Sequence, residues 1–459
     1  MKIISYGAAE GVTGTKHLIE VNGHRVLLDC GMFQGIRKEA DQKNRAMPFD
    51  PRSIDAVVLS HAHIDHSGVL PVLTKRGYKG KIYTTCATRD LCSLMLLDSA
   101  NIQARDAEWL SKKNRSFVPA LYEDTDVSET MKHFVCFPYG DKVQIIPDVY
   151  VTLFDAGHVL GSAMIALECK ENGRSRRLIF TGDLGRKKMP ILNDPWEPDP
   201  ADVVLLESTY GDRDHDPIEA MEEELSGIIR ATYDRGGKII VPSFALERAQ
   251  EIIYALKKLE MRDAVPTMPV YVDSPLTVNI TEVFRMHTEC FDTEIQATMK
   301  NTGDPFQLKR IQYISRVEDS MRLNALPEPC IIISAAGMCE HGRILHHLRN
   351  NCENPKNTIL IVGFQAKNTL GRRIVERQPR IKIFGIEHTL NAEVKIMNGF
   401  SAHAGRSELI AFGHRFKDCA QSVLLVHGED KALNALQSGL KGIGMSQVSI
   451  QHEGEPVSV

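Results

Sequence analysis

No apolar run in the 459-residue sequence approaches the roughly 18 residues that a membrane-spanning helix requires. The longest runs, Cys330 to Ile333 and Thr358 to Val362, have the length of strands. The N-terminus enters a strand-like pattern at Lys2 and lacks the apolar segment and small-residue cleavage site of a secretory signal. The ten cysteines contain no CxxC and keep no regular spacing, which argues against a disulfide framework and for reduced thiols, mostly in the core. Charge of either sign is not in surplus: 55 Lys+Arg face 59 Asp+Glu, a net of −4. No global field therefore draws a polyanion, and any nucleic-acid site must be local. Repeats and low-complexity tracts are also missing. The expectation is a cytoplasmic protein with no membrane role.

What is present is ordinary globular composition, with 43% hydrophobic and 25% charged residues. The length predicts two to four compact units. Up to about Pro200 the pattern is of many short strands with few helices: Lys2 to Tyr6, His17 to Val21, Arg25 to Asp29, Ala56 to Ser60, Lys81 to Thr84, Val149 to Asp155, Ala163 to Cys169, Arg177 to Thr181 and Val203 to Glu207. Turn signals such as Asn22-Gly23 and Asn172-Gly173 separate them. Near Tyr210 the rhythm changes to alternating helix and strand, the sign of a mostly parallel, doubly wound sheet. Its helices carry Ile218, Met221, Leu225, Ile228 and Ile229, then Ala249, Ile252, Ile253, Leu256 and Leu259; its strands run at Lys238 to Pro242, Val270 to Asp273, Cys330 to Ser334, Thr358 to Val362 and Ile381 to Gly385. The segment from Ala392 to Phe400 leaves this alternation.

The sharpest chemical signal is His61-Ala62-His63-Ile64-Asp65-His66, directly after the apolar Val57-Val58-Leu59. A strand end delivers side chains into a cleft, and HxHxDH offers three imidazoles and a carboxylate, the ligand types zinc selects. A merely His-rich solvated loop is the competing reading, and four ligand-type residues at a strand end outweigh it. Asp155-Ala156-Gly157-His158 and Thr181-Gly182-Asp183 end two further strands. Either alone is more often a turn; after HxHxDH they offer a third imidazole and a carboxylate able to bridge two metals.

With these motifs the sequence resembles the metallo-β-lactamase superfamily, whose five motifs fall here at Asp29, His61 to His66, His158, Asp183 and a late His. Glu207-Ser208-Thr209-Tyr210-Gly211, Phe400-Ser401-Ala402-His403-Ala404 and Val426-His427-Gly428 resemble motifs A, B and C of its β-CASP family. That family contains nucleases such as the endonuclease subunit of the eukaryotic pre-mRNA cleavage and polyadenylation machinery and prokaryotic relatives. Gly7 to Gly14, Pro242 to Ala245, Asp273 to Leu276, Ser334 to Met338 and Gly363 to Gln365 resemble further family signatures, so the likeness spans the chain. It implies an α/β protein, a metallo-β-lactamase αββα sandwich with an inserted, mostly parallel, doubly wound β-CASP domain: residues 1–208 and 395–459 for the first, 209–394 for the second.

The resemblance also implies two zinc ions per chain. The first would be held by His61, His63, His158 and Asp183, the second by Asp65, His66, Asp183 and His427, with Asp29 orienting ligands from behind. A metal-bridging hydroxide would hydrolyse phosphodiester bonds of single-stranded RNA, leaving a 5′-phosphate and a 3′-hydroxyl. Asp65, Glu207 and His403 would take part in the chemistry, His403 as the general acid kept cationic by Glu207. A His at position 427 goes with the RNA-directed members. RNA would thread between the two domains. Endonuclease action is favoured over 5′-to-3′ exonuclease action, which the same residues could also serve; a homodimer and other RNA-processing proteins are open as partners.

Phosphate handles are expected where Ser334-Ala335-Ala336-Gly337 joins a strand to a helix, through backbone N–H groups at the helix N-terminus. Arg248, Arg343, Lys367 and Arg372 lie near similar junctions. An ordinary turn and solvated side chains are the commoner outcomes. Packing or surface roles are expected for His341, His346 and His347, an exposed hairpin tip for Arg174 to Arg177, and core positions for Tyr78, Trp109 and Phe117, which could otherwise stack bases. Gly405 stands where the family has an acidic residue, so a hydrogen bond to the His403 loop would be lost. With no KH-type domain ahead of Met1 and about 30 residues after His427, RNA targeting is expected from the site or from partners. The rival readings are a lactamase-fold hydrolase of a small ester or thioester and a partner-dependent RNA-processing subunit.

Overall fold

The computed structural model describes every residue except Asn172, Ile218, Glu219, Phe364, Lys367 and Asn398, with the backbone alone at Asn114. The Asn172 turn, the Ile218 helix position, the Phe364 signature and the Lys367 phosphate handle therefore lie outside the described residues. Two compact units result, one of Met1–Lys187, Asp194–Asp214 and Ala402–Val459, the other of Lys188–Asn193 and His215–Ser401.

The first unit contains two seven-stranded sheets. One runs Pro456–Ser458, Lys2–Ser5, His17–Val21, His24–Leu28, Ala56–Val58, Lys81–Thr84 and Phe134–Cys136. The other runs Val448–Ile450, Ser422–Val426, Val203–Glu207, Arg174–Phe180, Ala163–Glu171, Val149–Asp155 and Lys142–Ile146. Alternation along the strands sorts their side chains onto two faces. Ile3, Ile19, Val26, Leu28 and Val58 meet Leu153, Ile165, Leu178, Phe180, Leu205 and Val426 between the sheets. Ile179, Val204, Leu206 and Leu425 face outward, onto Leu409, Phe412, Leu433, Leu436 and Leu440 of the helices Arg406–His414 and Asp430–Gly442. Val203 to Leu206 is apolar without a break because both of its faces are covered.

The second unit is built on a six-stranded parallel sheet ordered Ile311–Tyr313, Val270–Val272, Ile331–Ser334, Ile239–Pro242, Thr358–Ile361 and Glu393–Ile396. The expected apolar residues of Met221–Asp234 and Arg248–Met261 among the described residues are buried.

Three expectations need correction. Arg380–Ile383 pairs not with the parallel sheet but with Ile386–Thr389, in an antiparallel hairpin turned by Phe384 and Gly385 at positive φ. The sheet edge is instead Glu393–Ile396, in the segment read as leaving the alternation. Second, a 29-residue helix, Cys86–Asn114, occupies a region read as mostly strand; Leu91, Cys92, Leu96 and Ala100 bury its first half, while its second half has little apolar surface to betray a period. Third, Cys86 and Cys136 form a disulfide with Cα atoms 4.8 Å apart. Parallel pairing of Thr84 with Cys136 brings together two residues that are distant in sequence. Seven of the other eight thiols are buried.

Candidate metal centre

Each of the seven expected ligands lies at or just beyond the end of a strand in the first unit. Asp29 follows His24–Leu28 with φ +59°, and beyond it Gly31 lies so close to Asp65 that a Cβ would fall 1.6 Å from the Asp65 carbonyl oxygen. His61 and His63 follow Ala56–Val58, and the one-turn helix Ile64–Ser67 presents Asp65 and His66. His158 stands in the turn after Val149–Asp155. Two hydroxyls fix that turn by donating to the Gly161 carbonyl: Thr85 Oγ1 at 2.7 Å and Thr88 Oγ1 at 2.8 Å, from the start of Cys86–Asn114. Asp183 follows Arg174–Phe180, next to Gly182, where a Cβ would press to 2.8 Å from Ser60 Cβ. His427 follows Ser422–Val426.

These side chains converge on two points. His61, His63, His158 and Asp183 present ligand atoms all within 4.8 Å of one another, and so do Asp65, His66 and His427. In the first group His63 Nδ1 lies 3.1 Å from His61 Nε2 and 3.3 Å from His158 Nε2. In the second, His66 Nε2 lies 3.2 Å from His427 Nε2, and Asp65 Oδ2 is 3.8 Å from the latter. Asp183 faces both: Oδ2 is 3.5 Å from His61 and His158, and Oδ1 is 3.3 Å from His66.

Burial holds His61, His63 and His158 below the usual histidine pKa, so their imidazoles are neutral. That is the form which binds metals. Burial also opposes charge on Asp183, but His427 and His66 outweigh it and keep the carboxyl well below its ordinary range. Three ring nitrogens meeting around one point leave lone pairs that shared protons cannot all satisfy. Asp183 Oδ1, fully buried, accepts no hydrogen bond among the described residues. Divalent cations satisfy these groups together, so the residues fit the metals their chemistry implies.

Behind the clusters, Asp29 Oδ1 accepts from Ser60 N at 2.7 Å, while Oδ2 accepts from Ser60 Oγ at 2.7 Å and faces His66 Nδ1 at 2.7 Å. Ser60 Oγ is also 3.0 Å from His61 Nδ1. Thr209 Oγ1 lies 3.1 Å from His427 Nδ1. The ligand motifs by themselves single out neither Ser60 nor Thr209. The signal was there: one precedes HxHxDH and the other sits inside the Glu207 motif.

Glu207 and His403 meet beside the clusters. Glu207 Oε1 accepts from Leu184 N at 3.0 Å and lies 3.2 Å from His403 Nδ1, and Oε2 accepts from Thr209 N at 2.9 Å. Burial disfavours a charged His403, but Glu207 outweighs it and raises the imidazole to about 9. Its ring packs on His158 with centroids 4.5 Å apart. The hydrogen bond expected to be lost at Gly405 has a substitute three residues on. Glu408 accepts from Gly405 N and Lys187 N, both at 2.9 Å, and Asp214 holds Ser407.

The expected phosphate handles are differently placed. Ser334-Ala335-Ala336-Gly337 opens no helix: the next one, Ile344–Asn351, starts seven residues after Gly337, and Ser334 Oγ donates to the Asp273 carbonyl. Arg343 is bound to Asp273 at 2.7 Å and to the Ser315 carbonyl at 2.6 Å. Arg248 is paired with buried Glu251, and Arg372 with Glu376 at 2.7 Å. His347 is buried against Asp273, and His346 packs on Phe384. Arg174 opens the second strand of an antiparallel hairpin and is exposed with Ser175, as expected of a tip, while Arg176 and Arg177 are half-buried along the strand. Tyr78 is core, whereas Trp109 and Phe117 are 51% and 86% exposed, contrary to expectation.

Family profiles match three stretches: the metallo-β-lactamase superfamily at residues 14–85, the β-CASP domain at 249–374 and the Zn-dependent metallo-hydrolase RNA specificity domain at 387–457. The chain is 37% identical over 462 residues to ribonuclease TTHA0252 of Thermus thermophilus, covering 100% of both. It is 29% identical over 454 residues to transcription termination factor FttA of Methanosarcina mazei, covering 96% of this chain and 69% of that one. A crystal structure of a protein of unknown function from Enterococcus faecalis shares the fold, with TM-score 0.57 and 13% identity over 100% of this chain and 99% of the other.

Proposed function

The chain belongs to the β-CASP family of the metallo-β-lactamase superfamily, and from that membership we propose that it is a two-zinc ribonuclease hydrolysing single-stranded RNA to 5′-phosphate and 3′-hydroxyl ends. The observation that carries the reading is Asp183, whose two oxygens face two separate clusters of imidazole and carboxylate. His61, His63, His158 and Asp183 would hold one ion, and Asp65, His66, Asp183 and His427 the other. Bound there, the pair supplies the Lewis-acid charge that lowers the pKa of a water and neutralises phosphoryl oxygens.

The remaining work falls to the chain's own side chains. Glu207 anchors His403 through Nδ1, which leaves Nε2 to deliver a proton to the departing 3′ oxygen. An imidazole raised to about 9 is protonated at neutral pH, as a general acid must be. Asp29 and Ser60 fix the rings of His66 and His61, and Thr209 fixes His427. The RNA specificity profile and the ribonuclease relative support RNA as substrate. The seven buried free thiols favour a cytoplasmic location, whereas the Cys86–Cys136 disulfide does not.

The test is incubation of zinc-loaded protein with single-stranded RNA labelled separately at each end, beside a chelated control and matched DNA. Chelator-sensitive internal cuts are expected, with DNA the poorer substrate. Release of 5′-terminal nucleotides would replace endonuclease by exonuclease action. Equal rates on DNA would remove the RNA preference, and no cleavage by fully metallated protein would overturn the nuclease reading.

A further inference from the structure

Away from the metals, the first unit exposes a patch in which aromatic and basic side chains alternate. It is formed by the start of the helix Arg37–Arg45 and the end of the helix Cys86–Asn114 with the turn after it. Ile36, Trp109 and Phe117 are 69%, 51% and 86% exposed. The Arg37 guanidinium carbon lies 5.6 Å from the Trp109 ring centroid, and Lys113 Nζ lies 4.8 Å from it. Phe117 is not on a loose end. Val118 N donates to Ser111 Oγ at 2.9 Å, and Arg45 Nη2 donates to the Pro119 carbonyl at 2.8 Å, so the turn is tied to both helices.

Residues 37–45 and 105–115 hold eight basic and four acidic side chains, in a chain that is net −4. Four of the basic ones are spent on ion pairs: Arg37 with Asp106, Lys43 with Glu453, Arg45 with Asp41 and Lys112 with Glu108. Lys38, Lys113 and Arg115 pair with no carboxylate among the described residues. Exposed rings interleaved with unspent cations are what a single strand binds, because every base has a π-face and every linkage a charge. A protein partner would want a broader apolar face than three side chains.

We propose that Trp109 and Phe117, with Lys38, Lys113 and Arg115, form a stacking platform that captures single-stranded RNA outside the metal centre. This rests on the ribonuclease reading and adds a second point of substrate contact. Arg37 is eight residues along the chain from Asp29, which bonds His66, so the two are at most about 29 Å apart. A stacked strand covers that distance in roughly nine nucleotides.

The chain has two tryptophans, so Trp196→Phe leaves Trp109 as the sole indole reporter. Stopped-flow mixing of this metal-loaded variant with a 20-nucleotide oligouridylate should quench its emission before turnover. Lys113→Ala with Phe117→Ala should weaken the quench about tenfold or more. In cleavage assays, Trp109→Ala with Phe117→Ala should raise KM for the 20-mer about tenfold at unchanged zinc content, with a smaller change for a five-nucleotide RNA. Normal cleavage with no quench and unchanged KM would overturn the platform. So would a double variant that alters sedimentation while leaving RNA binding intact, which would make the patch a protein contact. Quenching by an RNA that is never cleaved would uphold the platform and count against the ribonuclease reading instead.

Discussion

Glu207 and His403 stand 196 residues apart in sequence, yet the Glu207 carboxylate, wholly buried, reaches His403 Nδ1 at 3.2 Å. Leu184 N and Thr209 N fix the same carboxylate, so its direction is set before any substrate arrives.

His403→Ala should therefore lower cleavage of ordinary RNA by roughly 10²- to 10⁴-fold with zinc content unchanged. A substrate with a sulfur leaving atom in place of the 3′ oxygen should recover most of the loss. Near-wild-type cleavage of ordinary RNA would remove His403 as the acid.

Glu207→Gln should move the alkaline limb of the pH–rate profile. A general acid works only while protonated, and Glu207 is the largest influence raising His403 to about 9. Without that charge the fall in rate should begin nearer the ordinary histidine value of about 6.5. An unshifted limb would show that another group sets it.

Asp183→Asn tests the proposed sharing of one carboxylate between two metals. Because its oxygens face both clusters, the substitution should empty both sites together, leaving fewer than about one zinc per chain by metal analysis. Asp29→Asn, one step removed, should cost only about 10- to 100-fold in metal affinity. Equal effects would mean that Asp183 is no more a ligand than Asp29.

His17 offers a test of stability. Burial first, then the neighbouring His66 and His427, pushes its imidazole down to about 3. The folded state keeps it neutral while the unfolded chain takes up a proton below about 6.5, so this group's contribution is complete above that pH and falls on acidification. The loss is about 1.4 kcal/mol per pH unit between the two values. Urea midpoints from pH 7.5 to 5 should fall less steeply in His17→Gln than in wild type; parallel curves would refute the assignment.

Motif and periodicity carried most of the fold and brought together the candidate metal ligands, for a physical reason. Strands such as Val203–Glu207 are too apolar to be anything else, and ligands crowd at their ends. What escaped was set by long-range pairing. Nothing local distinguishes Cys86 and Cys136, which meet through strand register, or Glu393–Ile396, which becomes an edge strand only because Thr358–Ile361 offers it one. The basic residues misled because charge was legible and partners were not: Asp273 and Glu251 hold Arg343 and Arg248 from separate positions in the fold or the next helical turn. Trp109 and Phe117 looked like core because large aromatics usually are, and the length of the helix, which carries Trp109 and the turn bearing Phe117 beyond the core, has no local signature.

The wide separation of the ligands along the chain imposes an order on the protein's birth. A ribosome delivers the four residues of the first cluster by Asp183, but roughly 240 residues remain before His427, an interval on the order of 10 to 50 s at ordinary synthesis rates. Until that interval ends the nascent chain lacks one of the seven expected ligands, His427, and until its last 24 residues it lacks His403 as well. If the proposed ligand and acid roles hold, a ribonuclease built in this order stays inert while it is still tethered to its own message.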